Sequence, residues 1–175
     1  DLVNKWAKGG NMPPLIFPLD GWRDATDVFP IEIEDMREAH RIVSGADPFE
    51  GVVTRRDDLR RELERETRGK LLQLRAQYVA FAKDGKGLTR LLVESAPAFF
   101  VLMRAVVRLA GETPAANPRR LVDRACELAG IDPSAFDWVV RKITGDNVNA
   151  LQANDSTAVE YLQAIERLAQ YVDKA

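Results

Sequence analysis

The chain is poor in the residues from which most catalytic and metal sites are built. One cysteine and one histidine occur in 175 residues. A lone cysteine excludes an internal disulfide, and one Cys with one His falls short of the ligand count of a Cys/His zinc site. A Ser-His-Asp or Cys-His mechanism would have to run on His40 alone, which argues against both. Excess charge of one sign is also lacking. A formal net charge of -2 and an isoelectric point near 5.6 argue against bulk attraction to nucleic acid or to an anionic membrane. Long apolar runs are missing as well. The longest, residues 96–103, is interrupted by Pro97 and followed by Arg104 and Arg108, well short of the roughly 18 apolar residues that span a bilayer. Residues 1–7 have neither the basic flank nor the apolar core of a secretory leader. Cys126, set among Val122, Ala125 and Leu128, reads as a buried inert thiol, and an unbridged thiol suits a reducing cytoplasm.

What is present divides into two parts. The chain opens on Asp1 rather than Met, and residues 1–53 read as the end of a domain whose first part lies upstream. Within them, Phe29, Ile31 and Ile33 alternate with Pro30, Glu32 and Glu34 over residues 28–36, the two-residue period of a half-buried strand. A short helix is expected from Asp35 to Val43, before Ser44-Gly45 and the linker Asp47-Pro48 to Gly51.

Residues 54–175 predict a five-helix bundle. The first helix starts at Thr54 with Asp57 in a box-like cap. It carries Leu59, Leu63, Leu71, Leu74, Tyr78 and Phe81 at helical spacing and ends at Asp84-Gly85. The second runs to Gly111, with a kink or break expected at Pro97. Asn117-Pro118 to Gly130 and Asp132-Pro133 to Gly145 have the cap, first-turn proline and terminal glycine of two more. Thr157 with Glu160 caps the last. The fold class is therefore mainly α: a bundle from residue 54, preceded by a partial α/β remnant.

Several residues stand out as candidates for chemistry. Alternate strand residues share a face, so Glu32 and Glu34 would project together and be able to hold a divalent cation, or else form a solvated polar edge. The first bundle helix has a dense charge run in which Asp57/Arg61, Glu64/Arg68 and Glu66/Lys70 are self-pairing at four-residue spacing. Gly69 interrupts it. A mid-helix glycine costs about 1 kcal/mol against alanine, and it is expected to mark a close approach by residues 28–36 or by the linker. That singles out Arg68, Lys70 and Arg75 as basic residues near a ligand. Arg104 and Arg108, embedded in apolar sequence, either reach the rim or meet a buried partner, with anion binding along an inter-domain groove as the sharper alternative. Phe99, Phe100, Phe136 and Trp138 read as core rather than as base-stacking platforms.

The stretches Gly10-Asn11-Met12-Pro13-Pro14-Leu15-Ile16-Phe17, Asp27-Val28-Phe29-Pro30-Ile31-Glu32-Ile33-Glu34-Asp35-Met36, residues 40–49 and residues 65–75 resemble bacterial nucleotidyltransferase-like proteins of the DNA polymerase beta superfamily. The resemblance implies a small mixed sheet ahead of a helical domain. It implies a catalytic role for Glu32, as the third acid of a metal site whose remainder lies upstream, or as a relic of one. The superfamily's glycine turn and paired acids are not matched: Gly9-Gly10 is followed by Asp20-Gly21-Trp22-Arg23, without the second acid. In a complete relative, Mg2+ would serve nucleotidyl transfer, while Arg68, Lys70, Arg75 and Arg104 would bind the triphosphate or a small-molecule acceptor. This chain alone is expected to take no cofactor and to transfer no nucleotide. Its role would be substrate binding, or binding of the missing N-terminal part or another protein. The competing expectation is a non-catalytic helical interaction module whose charged long helix binds another protein.

Overall fold

The computed structural model describes residues 2–10 and 16–175. Residues 11–15, within the first stretch behind the resemblance, lie outside the described residues. The chain is mainly α. Its helices are α1 (Leu2–Lys8), α2 (Leu19–Asp24), α3 (Pro30–Glu38), α4 (Arg56–Phe81), α5 (Gly85–Leu109), α6 (Pro118–Ala129), α7 (Asp137–Ile143) and α8 (Ser156–Val172). Turns of 3-10 helix at Ala25–Asp27 and Pro133–Phe136 precede α3 and α7.

Five α-helices follow residue 54, as the sequence predicts. α4 packs on α5 and α8, and α5 packs on α6. The inner stripe of α4 is Leu59, Leu63, Leu71 and Leu74, and α8 contributes Tyr161, Ile165, Leu168 and Val172. Tyr161 lies at the centre, edge-on to Phe136 at 5.5 Å and to Phe99 at 6.2 Å between ring centroids. Its hydroxyl finds Ser95 Oγ at 3.2 Å, which meets the demand of a buried phenol. Phe99, Phe100 and Phe136 are core residues, as expected. Trp138 is half-buried and donates from Nε1 to the Asn149 carbonyl.

Most helix ends follow from local chemistry. Asn117 accepts from the Arg120 amide, Pro118 occupies the first turn, and Gly130 closes α6 at φ 65°, the left-handed conformation that glycine adopts without a Cβ penalty. The last helix is capped by Asp155 rather than Thr157. The Asp155 carboxylate accepts from both the Gln152 and Thr157 amides, two bonds where a threonine hydroxyl would accept one. Thr54 does not cap α4; Arg55 stands at that position without a side-chain bond. The stretch after Asp132 is a 3-10 turn and then a short α-helix rather than one helix. α5 runs unbroken through Pro97.

The turn between α4 and α5 requires glycine for a packing reason. A Cβ on Gly85 would run into the Leu151 carbonyl oxygen, because residues 151–154 cross directly over the turn. They are held there by Leu151 N–H to Thr89 Oγ1 (2.9 Å) and Asn154 N–H to the Ala82 carbonyl (2.7 Å).

Residues 1–53 overturn two expectations. No strand occurs among the described residues, so the α/β remnant is not seen, and residues 28–36 contain most of α3. Pro30 sits at the first helical position, where its missing N–H is no loss. The two-residue alternation has another cause. Residues two apart on a helix point roughly 200° apart, and α3 is buried on both sides. Ile31 enters the bundle core, while Ile33 enters a separate small cluster with Ala25 and Val52, bordered by Trp22 and Phe49. The helix stops at Glu38, so residues 39–43 do not extend it. The second correction concerns Gly69. α4 turns Leu63, Thr67, Leu71 and Leu74 inward, leaving Gly69 outside, where an added Cβ would meet nothing within 4 Å.

Candidate binding groove between α3, α4 and α5

α3 is fixed across α5 by charge as well as by Ile31. Asp35 receives Arg104 through two nitrogens, Nε at 3.0 Å and Nη2 at 2.6 Å, and receives Arg108 Nη1 at 2.6 Å. Glu38 receives Arg108 Nε at 3.1 Å and Nη2 at 2.8 Å. The Arg108 side chain is only 7% exposed, so its charge is buried and answered by two carboxylates. Burial alone would raise the Asp35 pKa, but the hydrogen bonds from Arg104 and Arg108 outweigh it and hold the carboxyl below its ordinary range. Burial likewise works against the Arg108 cation, and the bonds it donates to Glu38 and Asp35 overcome it. Of the two placements expected for these arginines, Arg108 takes the buried partner. Arg104 is partly exposed and bidentate on Asp35.

The docking of α3 leaves a cavity of about 410 Å³ beside it. Ile31, Met36, Val101 and Leu102 form an apolar floor, and Glu32, Asp35, Glu66 and Lys70 line it as well. Lys70 and Ala98 also line a second hollow of about 220 Å³ toward Gln77, Leu91, Glu94 and Phe99. The two hollows therefore form one groove along α4 and α5. From Glu66 to Gln77 it follows α4 for about 16 Å, three turns of helix.

The charges of this groove are unequally satisfied. Asp35 belongs to the arginine cluster, and Glu66 holds Lys70 at 3.1 Å. Glu32 and Glu94 are exposed and take part in no ion pair among the described residues. The groove is apolar at its floor and carries two exposed carboxylates at its edge, of which Glu32 lies within the electrostatic reach of Arg65.

The residues singled out by sequence do not assemble into one site. Glu32 lines the groove, whereas Glu34 lies on the other side of α3, paired with Arg37 at 3.3 Å and lining a different cavity. The shared strand face on which a joint metal site rested is replaced by helix geometry that separates them. Of the basic candidates, only Lys70 lines the groove itself. Arg104 adjoins it through Asp35, Arg75 holds Glu166 of α8 at 2.9 Å, and Arg68 holds Asp173 at 3.0 Å and Glu64 at 3.4 Å. Among the described residues, no group of three or more His, Cys, Asp or Glu is placed to hold a metal ion. No helix of the described residues is long and apolar enough to cross a membrane.

Sequence reasoning missed Asp35, Glu38 and Glu94. The first two had a signal: Asp35 and Glu38 at three-residue spacing match Arg104 and Arg108 at four, once residues 30–38 are read as helix. Glu94 had none, since its role depends on the groove. No family model matches the chain, and no curated protein or solved structure matches it.

Proposed function

We propose that this chain is a non-catalytic helical interaction module whose α3–α4–α5 groove receives a basic segment of another protein with one apolar face. The observation that carries the reading is the pairing of an apolar floor with the exposed carboxylates of Glu32 and Glu94, neither of which forms a close ion pair among the described residues. Apolar side chains of the segment would fill the floor, and its Lys or Arg residues would reach the edge carboxylates. This is the helix-in-groove mode of recognition, with charge setting partner choice.

A fluorescently labelled synthetic peptide of leucines and lysines at helical spacing tests this reading by anisotropy. It is expected to bind, to weaken as salt is raised, and to lose at least tenfold in affinity in a chain carrying Glu32→Lys with Glu94→Lys. Affinity unchanged by that double reversal would reject the groove.

The second reading, the substrate-binding portion of a nucleotidyltransferase-like protein, is supported by the sequence resemblance. Under it, Arg68, Lys70, Arg75 and Arg104 would each have to exchange a carboxylate for a phosphate oxygen. Calorimetry with ATP and magnesium separates the two readings. Binding heat that disappears in Lys70→Ala and Arg104→Ala would favour the nucleotide.

A further inference from the structure

The cavity that Glu34 lines, on the other side of α3 from the groove, has a basic wall. It measures about 590 Å³, within the range of small-molecule sites. Three helices bring arginines to it: Arg37 from α3, Arg56 from α4 and Arg108 from α5, against the single carboxylate of Glu34. Two of these cations are already engaged. Arg108 is held by Asp35 and Glu38, while Arg37 pairs with Glu34 at 3.3 Å and donates from Nη2 to the Val52 carbonyl at 2.8 Å. Arg56 is exposed and makes no ion pair among the described residues. With the carboxylates behind the wall included, Arg37, Arg56, Arg104 and Arg108 stand against Glu34, Asp35 and Glu38. The positive charge left over is that of Arg56. Neither Asp57 nor Asp58 lines the cavity, and Asp58 is held by Arg55 and Arg61.

Buried polar atoms of the same wall supply an independent observation. Arg37 Nε and Thr54 Oγ1 are both buried and find no hydrogen-bond partner in the chain. Folded proteins leave few such atoms. The guanidinium Nε can only donate and a threonine hydroxyl can donate, so what both lack is an acceptor. α4 adds the same preference. Its cap position, Arg55, makes no side-chain hydrogen bond, which leaves first-turn amides at the positive end of a 26-residue helix. The wall formed by Leu109, Ala110 and Gly111 has the opposite character, because a helix C-terminus offers carbonyl acceptors.

We propose that this cavity binds the phosphate monoester of a small hydroxylated molecule, with the phosphate at Arg56 and Thr54 and the hydroxyls toward Glu34 and the end of α5. The donors select the phosphate. A guanidinium, a hydroxyl and helix amides belong to one cavity wall, and the three terminal oxygens of a phosphate can serve them all, whereas a carboxylate has two oxygens in one plane. A phosphate also brings a charge of about -1.5 to -2 at neutral pH to a wall with one cation to spare. The acceptors select the rest of the ligand. A second anionic group would meet Glu34 and the negative end of α5, while hydroxyls can donate to both. That favours a monoester over a triphosphate. The site is separate from the α3–α4–α5 groove and holds whether or not a peptide occupies it.

Calorimetry on the full chain tests the proposal, with glycerol 3-phosphate, inorganic phosphate, glycerol, ATP and a phosphoserine peptide as probes. Glycerol 3-phosphate is expected to bind more tightly than inorganic phosphate, and glycerol not at all. Arg56→Ala should weaken it about tenfold at unchanged melting temperature, since this exposed side chain has no ion pair to lose. Thr54→Val is the sharpest variant. It should melt no lower than the parent chain, because the hydroxyl has no partner to lose, yet bind the ester about fivefold more weakly. Arg120→Ala removes an exposed arginine, without an ion pair among the described residues, from the first turn of α6 and should leave binding unchanged. No heat from glycerol 3-phosphate, or an affinity indifferent to Arg56→Ala, would overturn the proposal. Inorganic phosphate bound as tightly as the ester would remove the hydroxylated body, and preference for ATP would remove the monoester. Preference for the phosphoserine peptide would overturn the small-molecule assignment by placing the phosphate on a protein partner.

Discussion

The bundle formed by α4 to α8 and the segment ending in α3 are held by different forces. In the bundle, long helices bury one continuous apolar stripe each, and the interior is almost wholly hydrocarbon and aromatic. α3 is nine residues long and contributes Ile31 alone to that interior. What holds it is a four-residue ionic cluster, Asp35, Glu38, Arg104 and Arg108, together with the small core around Ile33. The lesson is about cooperativity. Damage to a shared apolar core spreads to every helix that lines it, whereas damage to a local ionic contact releases the element it holds.

Phe136→Ala should have the largest effect. Phe136 is fully buried against Tyr161, and its truncation should cost about 4 kcal/mol. Denaturant titration should show a lower midpoint for all helices together. Arg108→Ala should cost about 3 kcal/mol, because it leaves Asp35 and Glu38 without their buried cation. Hydrogen exchange should locate that loss in α3 amides first, while α8 stays protected; uniform loss across the chain would erase the contrast between the two regions.

Acid should act on the same contact. Asp35 has a folded-state pKa below its ordinary 3.8, so the folded chain resists a proton that the unfolded chain accepts. Its contribution is complete above that ordinary value and disappears as pH falls through the depressed one. Exchange in α3 should therefore rise at low pH before that in α6, and Asp35→Asn should remove this difference.

Two glycine substitutions provide the smaller effects, with opposite signs. Gly85→Ala should destabilise by about 2 kcal/mol, because the new methyl meets the Leu151 carbonyl and must push the crossing loop aside. Gly69→Ala should stabilise by about 1 kcal/mol, since its Cβ points into open space and alanine is the better helix former. A Gly69→Ala chain that melts lower would restore the expectation of an internal contact.

How far the sequence could be read depends on how each element is buried. α6 was legible end to end because Asn117, Pro118 and Gly130 each impose one local geometry. α8 was legible in its stripe but not in its first residue, since Asp155 wins the cap through a bond to Gln152 that no short window reveals. α3 was misread because burial on two sides gives Ile31 and Ile33 a spacing that resembles a strand. Pro30 was the better guide there. The pair Glu32 and Glu34 inherited that error. The groove depends on α3 lying across α5, a long-range placement fixed by residues about seventy positions apart, and no local pattern announces it.

The buried thiol of Cys126 gives the molecule a built-in clock. It is 1% exposed, and burial pushes its pKa up to about 12, so at neutral pH it is both hidden and protonated. A thiol reagent can react only when α6 lifts from the core. As the only cysteine in the sequence, it makes the rate of modification a direct count of those openings, with no label added and no residue replaced.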